Sequence, residues 1–548
     1  MRQIHLFITG LCLSLILAAC SLDPKGTNGK VGNDNIEKIS VKGSQFIDQN
    51  GRQVLLNGVN LVNKSPSEGY IGSEGAKEFE GFKKWGFNII RLGVIWDGLE
   101  PEPGVYNEDY LKKIDAQIEL AKANGLFVFL DMHQDLFSVK YSDGAPEWAT
   151  LDEGKEHVQG AVWSDAYMIS PAVQTSWDNF WANKPVSDGV GVQDHYAKAW
   201  QHLTKRYVDN PTVIGFDIMN EPFVGSEAQM YMPVLFAAYA QLRTAETGVM
   251  ITAQEVGAMW ADTQGRNEAL QKVADKEKFG QIMDAVYELN SAFEAGPLQA
   301  FYQKVADAVR EIDTDKILFF NHSYFCNGGV YTALEPFKLS NGQTDSQVVY
   351  AAHGYDLLVD TKELSNSSDE RLEMIFERIH ESGKRMNIPV LIGEWGALGS
   401  DSPGRTELAH KNLRLFEKFL FSNTYWTYGK GVEDRSYFKN GIVRPYPTVI
   451  AGSLTRYGYQ PESGKLHCVW QESADIKAPT RIYIPVLANV SHESIELLPD
   501  ADSIGLEPIE GSESGFIVIE PLGQNLKREI TIQIKAAGSE VISLSSTK

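Results

Sequence analysis

The sequence predicts a (β/α)8 barrel with a C-terminal antiparallel β-sandwich, and three observations lead to this prediction. Eight short apolar segments are typical of strands that are buried on both faces. The stretches between them carry apolar residues at every third or fourth position, as surface helices do. Beyond about residue 460, short runs of period two alternate with turn residues. The barrel is predicted to span residues 39–457 and the sandwich residues 458–548.

The barrel elements follow one another in chain order. A hairpin is predicted first, because the turn residues Asp48–Gly51 separate two alternating segments. The eight strands are expected at residues 54–60, 87–92, 126–131, 213–219, 316–320, 348–352, 389–393 and 422–428. Helices are expected around residues 76–82, 110–121, 196–207, 372–379 and 413–420, with a last one around 448–455. In such a barrel the active site lies at the carboxyl ends of the strands.

Two connections are too long to be bare loops, so we expect ordered insertions on the active-site face. Residues 132–193 contain four tryptophans. Residues 223–296 include the apolar, methionine-containing segment Met230–Phe236. An aromatic and methionine-rich insertion could accept an apolar ligand. A subdomain that packs only against itself would explain the same composition.

The first 38 residues are predicted to lie outside the fold. Arg2 is followed by the apolar stretch Leu11–Ala19, which is too short for a permanent membrane span, and then by Cys20. Small residues before a cysteine resemble a bacterial lipoprotein signal, so residues 1–20 are predicted to be a lipoprotein signal peptide with Cys20 lipidated. An ordinary signal peptide is the alternative. Residues 21–38 are predicted to be a flexible tether. We expect an exported protein, anchored by lipid to the cell surface or to a periplasmic membrane face.

The composition excludes some classes of partner. The formal net charge of −22 argues against nucleic acid, which is bound by clustered lysine and arginine. It also provides no basic patch for acidic lipid headgroups. An uncharged or weakly charged substrate fits this charge. No cofactor is expected, and the protein is expected to be a monomer.

Two of the predicted strands end in a glutamate. The fourth is followed by Asn220-Glu221-Pro222, and the seventh leads into Glu394. Two carboxyl groups on two strand ends of one barrel are the groups that hydrolyse a glycosidic bond. A single glutamate at such a position is as often a salt-bridged or solvated side chain, but the pair favours catalysis. Glu221 and Glu394 are therefore the predicted catalytic residues.

Other polar or aromatic side chains stand at the strand ends, namely Arg91, His133, Asn220, His353, Tyr355 and Trp426. Arg91 and Tyr355 could stabilise a charged Glu394, which makes Glu394 the predicted nucleophile and Glu221 the acid/base. Asn220 could bond the sugar 2-hydroxyl, and Trp426 could stack on the sugar ring. His133 and His353 are predicted to be hydrogen-bonding residues, because no third residue at a suitable spacing supports a metal site.

At these residues the chain resembles the family 5 glycoside hydrolases, over roughly residues 39–457. In that family the glutamate after the asparagine is the acid/base and the seventh-strand glutamate is the nucleophile, which implies these roles for Glu221 and Glu394. A narrower resemblance to endoglycoceramidases is carried by four motifs: Asn57-Gly58-Val59-Asn60-Leu61-Val62-Asn63-Lys64, Asp131-Met132-His133-Gln134-Asp135, Gly144-Ala145-Pro146-Glu147-Trp148-Ala149 and Arg444-Pro445-Tyr446-Pro447.

The endoglycoceramidases cut between the intact glycan and the ceramide of glycosphingolipids. The resemblance implies a glycosphingolipid substrate, a hydrophobic cleft for ceramide, and Lys64, Asp135 and Asn220 as sugar contacts. A β-glucanase, a mannanase or a hydrolase of simple glucosyl lipids would use the same mechanism. An inactive, glycan-binding surface lipoprotein is a further alternative, but such proteins usually lack a catalytic carboxylate and both are present here.

Overall fold

The computed structural model describes residues 37–499 and 504–535. The predicted signal peptide with Cys20, and the predicted tether up to residue 36, lie outside the described residues. None of the helices within those ranges is both long enough and apolar enough to cross a membrane.

A small antiparallel unit precedes the barrel. Its strands are β1 (Ile39–Lys42), β2 (Gln45–Asp48) and β3 (Gln53–Val54), which pair in this order. Their apolar side chains share one core with residues from the starts of the barrel strands, and Phe46 stacks on Phe319 at 6.5 Å between ring centroids. This unit therefore closes the amino-terminal end of the barrel.

The barrel consists of eight parallel strands, β4 (Asn57–Leu61), β5 (Ile89–Ile95), β6 (Phe127–His133), β7 (Val213–Asp217), β8 (Ile317–Phe320), β9 (Val348–Tyr350), β10 (Leu391–Ile392) and β11 (Ser422–Tyr425). They are neighbours in the order β10-β11-β4-β5-β6-β7-β8-β9. Parallel bridges between Tyr350 and Val390 and between His353 and Glu394 join the two ends of this sheet. The predicted (β/α)8 barrel is confirmed.

The α-helices surround the strands and fill the insertions. They are α1 (Ala76–Lys84), α2 (Trp96–Leu99), α3 (Glu108–Ala123), α4 (Ala166–Ile169), α5 (Pro171–Trp181), α6 (Val192–Tyr207), α7 (Ala228–Thr247), α8 (Ala253–Trp260), α9 (Thr263–Gln271), α10 (Lys276–Asp284), α11 (Tyr287–Phe293), α12 (Gln299–Arg310), α13 (Asp369–Met386) and α14 (Arg405–Phe419). Both predicted insertions are ordered: α4 and α5 belong to the first, and α7 to α11 form the second.

The C-terminal strands are β12 (Tyr446–Ile450), β13 (Gly452–Gln460), β14 (Lys465–Glu472), β15 (Thr480–Ile484), β16 (Ile495–Leu498), β17 (Ile504–Pro508), β18 (Gly515–Ile519) and β19 (Leu526–Gln533). They form two antiparallel sheets. One sheet has the order β13-β14-β19-β16, and the other has the order β1-β2-β3-β12-β15-β18-β17. Trp470 of the first sheet and Ile482 of the second belong to one buried core. The predicted sandwich is confirmed.

The helix predicted around residues 448–455 is wrong, because this segment forms β12 and the start of β13. Val449 pairs with Val54 of β3 on one side and with Arg481 of β15 on the other. Both partners are remote in sequence, so the local pattern gave no sign of them. β13 crosses residue 457, where the barrel was predicted to end, and the domain boundary itself stays a prediction.

Candidate active site

Glu221 is held in an unusual backbone conformation directly after β7. Its φ is +43°, which is uncommon for a residue with a side chain. Its backbone N–H donates to Asn321 Oδ1 at 3.1 Å, and Gln134 Nε2 donates to the carbonyl groups of Asn220 and Glu221 at 2.8 and 3.1 Å. These bonds fix the segment after the strand and position the buried Glu221 carboxyl group.

Glu394 follows β10 and faces Glu221 across the barrel mouth. Its Oε1 accepts from Arg91 Nη1 at 2.6 Å, and its Oε2 accepts from the Tyr355 hydroxyl at 3.2 Å. One carboxyl oxygen of Glu394, one of Glu221 and a ring nitrogen of His353 all lie within 4.8 Å of one another. Retaining glycosidases hold their two carboxyl groups about 5–5.5 Å apart.

Arg91 lies beneath this pair and is fully buried. Besides Glu394, its guanidinium contacts Asp217 through Nε at 2.8 Å and Asp131 through Nη2 at 2.8 Å. Arg91 Nη2 also donates to Asn220 Oδ1 at 2.9 Å. A buried cation of this kind is stable only when anions and acceptors surround it. Arg91 therefore fixes Glu394 and Asn220 relative to each other.

The two carboxyl groups predicted to be catalytic differ in their electrostatics. Burial, followed by the charge of Asp135, raises the pKa of Glu221 to about 8. Burial also raises the pKa of Glu394, while His353 and Arg91 oppose the rise. Burial lowers the pKa of His353 to about 3, so Arg91 is the cation that favours ionised Glu394 at neutral pH. This difference suits Glu221 to carry a proton and Glu394 to carry a charge.

A polar and aromatic cluster lies beside the pair. The Lys64 ammonium contacts Asp135 and lies 4.8 Å from the centre of the Trp426 ring. The His133 ring stacks on Trp426 with 5.1 Å between ring centroids. Burial disfavours a charged His133, but Asp131, 2.7 Å from its Nδ1, outweighs burial and raises the pKa of His133 to about 10.

Two open cavities with hydrogen-bonding residues in their walls meet at Lys64. One is lined by polar residues that follow β4 and β11, namely Asn63, Ser65, Glu68, Glu74 and Lys430. The other is lined by Asp135, Tyr141, Ser142, Gln159 and Trp163. Polyhydroxylated ligands need many hydrogen-bonding partners, and these surfaces provide them around Lys64 and Asp135, whose charges act on Glu394 and Glu221.

An apolar cavity of about 160 Å³ is lined in part by Tyr324, whose pKa is raised by burial and by the charge of Glu221. Helices of the second insertion form much of its wall, with Met232, Leu235, Phe236, Trp260, Phe279 and Met283 among the lining residues. Tyr324 and Phe325 complete the wall, and Asn327, two residues further on, donates to Glu221 Oε1 at 2.7 Å. The cavity therefore begins close to the predicted acid/base.

All ten residues predicted for catalysis and substrate binding lie in this region: Glu221, Glu394, Lys64, Arg91, His133, Asp135, Asn220, His353, Tyr355 and Trp426. Their individual roles stay predictions. Sequence reasoning missed Asp131 and Asp217, which pair with Arg91 from within strands, and Asn321 and Asn327, which bond Glu221. Asn321 directly follows β8, so the strand-end rule could have identified it.

His133, Asp135 and Asp143 also approach one another within 4.8 Å. The Lys64 ammonium contacts Asp135 and lies 3.9 Å from Asp143, so a cation of the chain itself already occupies this neighbourhood. Burial, despite Lys64, raises the pKa of Asp143 to about 6. His133 Nε2 and Asp143 Oδ1 have no hydrogen-bond partner among the described residues, and we assign none of these residues to a metal. The expectation of no metal and no cofactor stays a prediction.

Opposed carboxyl groups at the carboxyl ends of barrel strands, one suited to hold a proton and one a charge, serve the hydrolysis of glycosidic bonds. The protein is a glycoside hydrolase. The sequence profile of the cellulase family, glycosyl hydrolase family 5, matches residues 47–431, and the profile of the glycoside hydrolase family 5 C-terminal domain matches residues 444–501. The chain belongs to glycosyl hydrolase family 5.

Several similar proteins carry related names. Endoglycoceramidase I of Rhodococcus hoagii (strain 103S) is 24% identical over 461 residues, which are 82% of this chain and 80% of that protein. Endoglycoceramidase of Cyanea nozakii is 29% identical over 243 residues, 38% of this chain and 47% of that protein. The solved structure of endo-glycoceramidase II from Rhodococcus sp. with ganglioside GM3 has a TM-score of 0.68 at 22% identity, covering 90% of this chain and 100% of that one.

Proposed function

We propose that this hydrolase is a retaining endo-β-glycosidase that releases the intact oligosaccharide from the ceramide of glycosphingolipids. The observation that carries the proposal is that two kinds of cavity reach the neighbours of the carboxyl pair: hydrogen-bonding surfaces at Lys64 and Asp135, and an apolar cavity at Tyr324. A substrate with a sugar part and a lipid part needs both kinds of surface on the two sides of the bond that is cut. The endoglycoceramidase names of the similar proteins support the same substrate class.

In the proposed first step, a Glu394 carboxylate oxygen attacks the anomeric carbon. The bond from that carbon to the ceramide oxygen breaks as Glu221 transfers its proton to this oxygen. The bonds from Arg91 and Tyr355 hold the attacking group in place. Asn220 is oriented by Arg91 and by a bond from its Nδ2 to the Gln134 carbonyl, which leaves one N–H for the sugar 2-hydroxyl.

In the second step, water attacks the same carbon from the side that ceramide has left. Glu221, now ionised, takes the proton from this water, and the bond to Glu394 breaks. Two inversions give an overall retention of configuration. The second step returns Glu394 to its carboxylate form and Glu221 to its protonated form, so the proposed cycle closes without a cofactor.

The experiment that tests the proposal is product analysis with a purified ganglioside, by thin-layer chromatography and mass spectrometry. The expected products are free ceramide and one intact oligosaccharide. Glucosylceramide and a soluble β-glucan are run in parallel, because the glucosylceramidase and endoglucanase names of other similar proteins favour them as alternative substrates. Turnover of either one without ganglioside cleavage would replace the proposal by the corresponding alternative.

The apolar cavity yields a separate prediction. Leu235→Glu places a carboxylate in its wall, and burying that charge against lipid is unfavourable. KM for ganglioside is expected to rise about tenfold, which corresponds to about 1.4 kcal/mol, whereas KM for a soluble 4-nitrophenyl β-lactoside should not change. Ala237→Glu is the matched control, because it adds the same charge at an exposed position of α7. Equal effects on both substrates would contradict a lipid role for the cavity.

We also propose that the chain is exported and anchored to a bacterial membrane through lipidated Cys20. The apolar stretch that ends in small residues before this cysteine supports the proposal. Cys20→Ser is expected to abolish metabolic labelling with palmitate and to move the protein from the membrane fraction to the soluble one. Unchanged labelling and fractionation would exclude the anchor.

A further inference from the structure

Three buried side chains form a hydrogen-bonded line that ends on Glu221. The Tyr350 hydroxyl bonds His322 Nδ1, and His322 Nε2 lies 2.9 Å from Asn327 Oδ1. Asn327 Nδ2 then lies 2.7 Å from Glu221 Oε1. Tyr350 and His322 are each no more than 1% exposed, so water does not compete for these bonds.

The Tyr350 hydroxyl and the Asn327 amide favour one direction for the bonds in this line, and the His353 backbone is a further partner of the His322 ring. The Tyr350 hydroxyl has no other partner among the described residues, so its hydrogen is satisfied only if it is donated to His322 Nδ1. Burial lowers the pKa of His322 to about 3, and the neutral ring then carries its single proton on Nε2. Nε2–H donates to Asn327 Oδ1, which turns the amide so that Nδ2–H faces Glu221.

We propose that Tyr350, His322 and Asn327 are positioning residues that keep Glu221 Oε1 permanently an acceptor, so that the catalytic proton resides on Oε2. This inference rests on the acid/base role proposed for Glu221. His353 Nδ1 lies 2.8 Å from the same Oε1. Asn327 Nδ2 and His353 Nδ1 are therefore both within hydrogen-bond distance of this oxygen. No side chain in residues 37–499 or 504–535 donates to Oε2, which leaves this oxygen free to face the glycosidic oxygen.

The last bond of the line also affects the pKa of Glu221. An N–H donated to a carboxylate stabilises the charged form, and the Asn327 bond lowers the Glu221 pKa that burial has raised. The second step of the cycle, in which Glu221 must be ionised, therefore depends on Asn327. The other titratable groups that face Glu221 are Lys64, His133, Asp135, Tyr167, Tyr324, His353, Tyr355 and Glu394.

The test is the pH profile of kcat/KM for 4-nitrophenyl β-lactoside. Asn327→Leu is expected to move the basic limb to higher pH by about one to two units, because the ionised form of Glu221 loses a donor. Nitrophenol should also appear in a burst, because the second step slows more than the first. Tyr350→Phe should shift the limb less, in the same direction.

A pair of substitutions at one position separates orientation from packing. His322→Gln retains an N–H that can replace Nε2–H, and it is expected to keep a profile near that of the wild type. His322→Leu should behave like Asn327→Leu. Tyr207→Phe is the control, because it removes a buried hydroxyl that bonds Asp115 outside the site, at 2.9 Å. A basic limb that does not move in Asn327→Leu, or equal profiles for the two His322 variants, would overturn the proposal.

A second measurement does not depend on turnover. In protein labelled with ¹⁵N-histidine, the His322 signal, identified by its loss in His322→Gln, is expected to show a proton on Nε2 and none on Nδ1 across the neutral pH range. A proton on Nδ1 would reverse the line and refute the inference. If the wild type cleaved no glycoside, the proposed function would fail, while this measurement would still decide the direction of the hydrogen bonds.

Discussion

Replacing Glu394 by glutamine is expected to lower kcat for any cleaved glycoside by about 10⁴-fold or more, because no other group can form the covalent intermediate. The fold should survive, since a glutamine oxygen can still accept the bond from Arg91 Nη1. The measurement is steady-state turnover of ganglioside together with thermal unfolding. Glu417→Gln is the control, because it neutralises a buried carboxylate that pairs with Arg444 away from the site, at 2.6 Å.

Glu394→Ala, assayed with added azide, tests the nucleophile role of Glu394 more directly than the glutamine variant does. Azide is small enough to enter the space left by the side chain and to attack the anomeric carbon from the face that Glu394 uses. A β-linked substrate would then yield an α-glycosyl azide. Nearly full activity of Glu394→Gln, or an azide product of the other anomer, would contradict the assignment of Glu394 as nucleophile.

Replacing Glu221 by glutamine is expected to lower kcat/KM for ganglioside by about 10²–10⁴-fold, because ceramide is a poor leaving group without a proton. The same variant should still release a good leaving group such as dinitrophenol, and should then stall as a covalent intermediate that mass spectrometry can detect. Azide added to Glu221→Ala would attack that intermediate from the opposite face and give a β-glycosyl azide.

The pH profile provides an independent check on Glu221. Its acid function requires the protonated form, and burial raises the pKa of Glu221 to about 8. For the wild type, kcat/KM should therefore fall as the pH rises through about 8. With a leaving group that needs no proton, Glu221→Gln should lose this basic limb. A limb that persists in the variant would belong to another group and would remove Glu221 from the acid role.

The sequence was informative wherever function follows strand order. Parallel strands bring their carboxyl ends to one rim, so Glu221 and Glu394 could be placed together although 173 positions separate them in the printed numbering. The same rule located His353 and Trp426, whereas Arg91 was predicted at a strand end and lies inside β5. Insertions could be recognised by length alone. These inferences succeeded because each depended on local pattern and on the topology of the barrel.

What the sequence did not reveal depends on contacts between remote segments. Asp131 lies inside β6 and Asp217 ends β7, and their buried carboxylates are tolerated because Arg91 pairs with both, with His133 and Asn321 as further partners. His322 and Asn327 follow a strand, but their bonds to Tyr350 and Glu221 depend on how the turn after β8 is folded. The helix predicted near residue 450 failed for the same reason, since β3 and β15 pair with it from either side.

The strands β1 to β3 close the amino-terminal end of the barrel. Through the pairing of β3 with β12 they belong to the same sheet as the C-terminal strands β15, β18 and β17. A polypeptide shortened at residue 457 would lose β15, which pairs with β12. The sheet that closes the amino-terminal end of the barrel would then lack this neighbour. The barrel and the sandwich share a sheet rather than a flexible linker, so removing the sandwich from an engineered variant would expose the edge of β12.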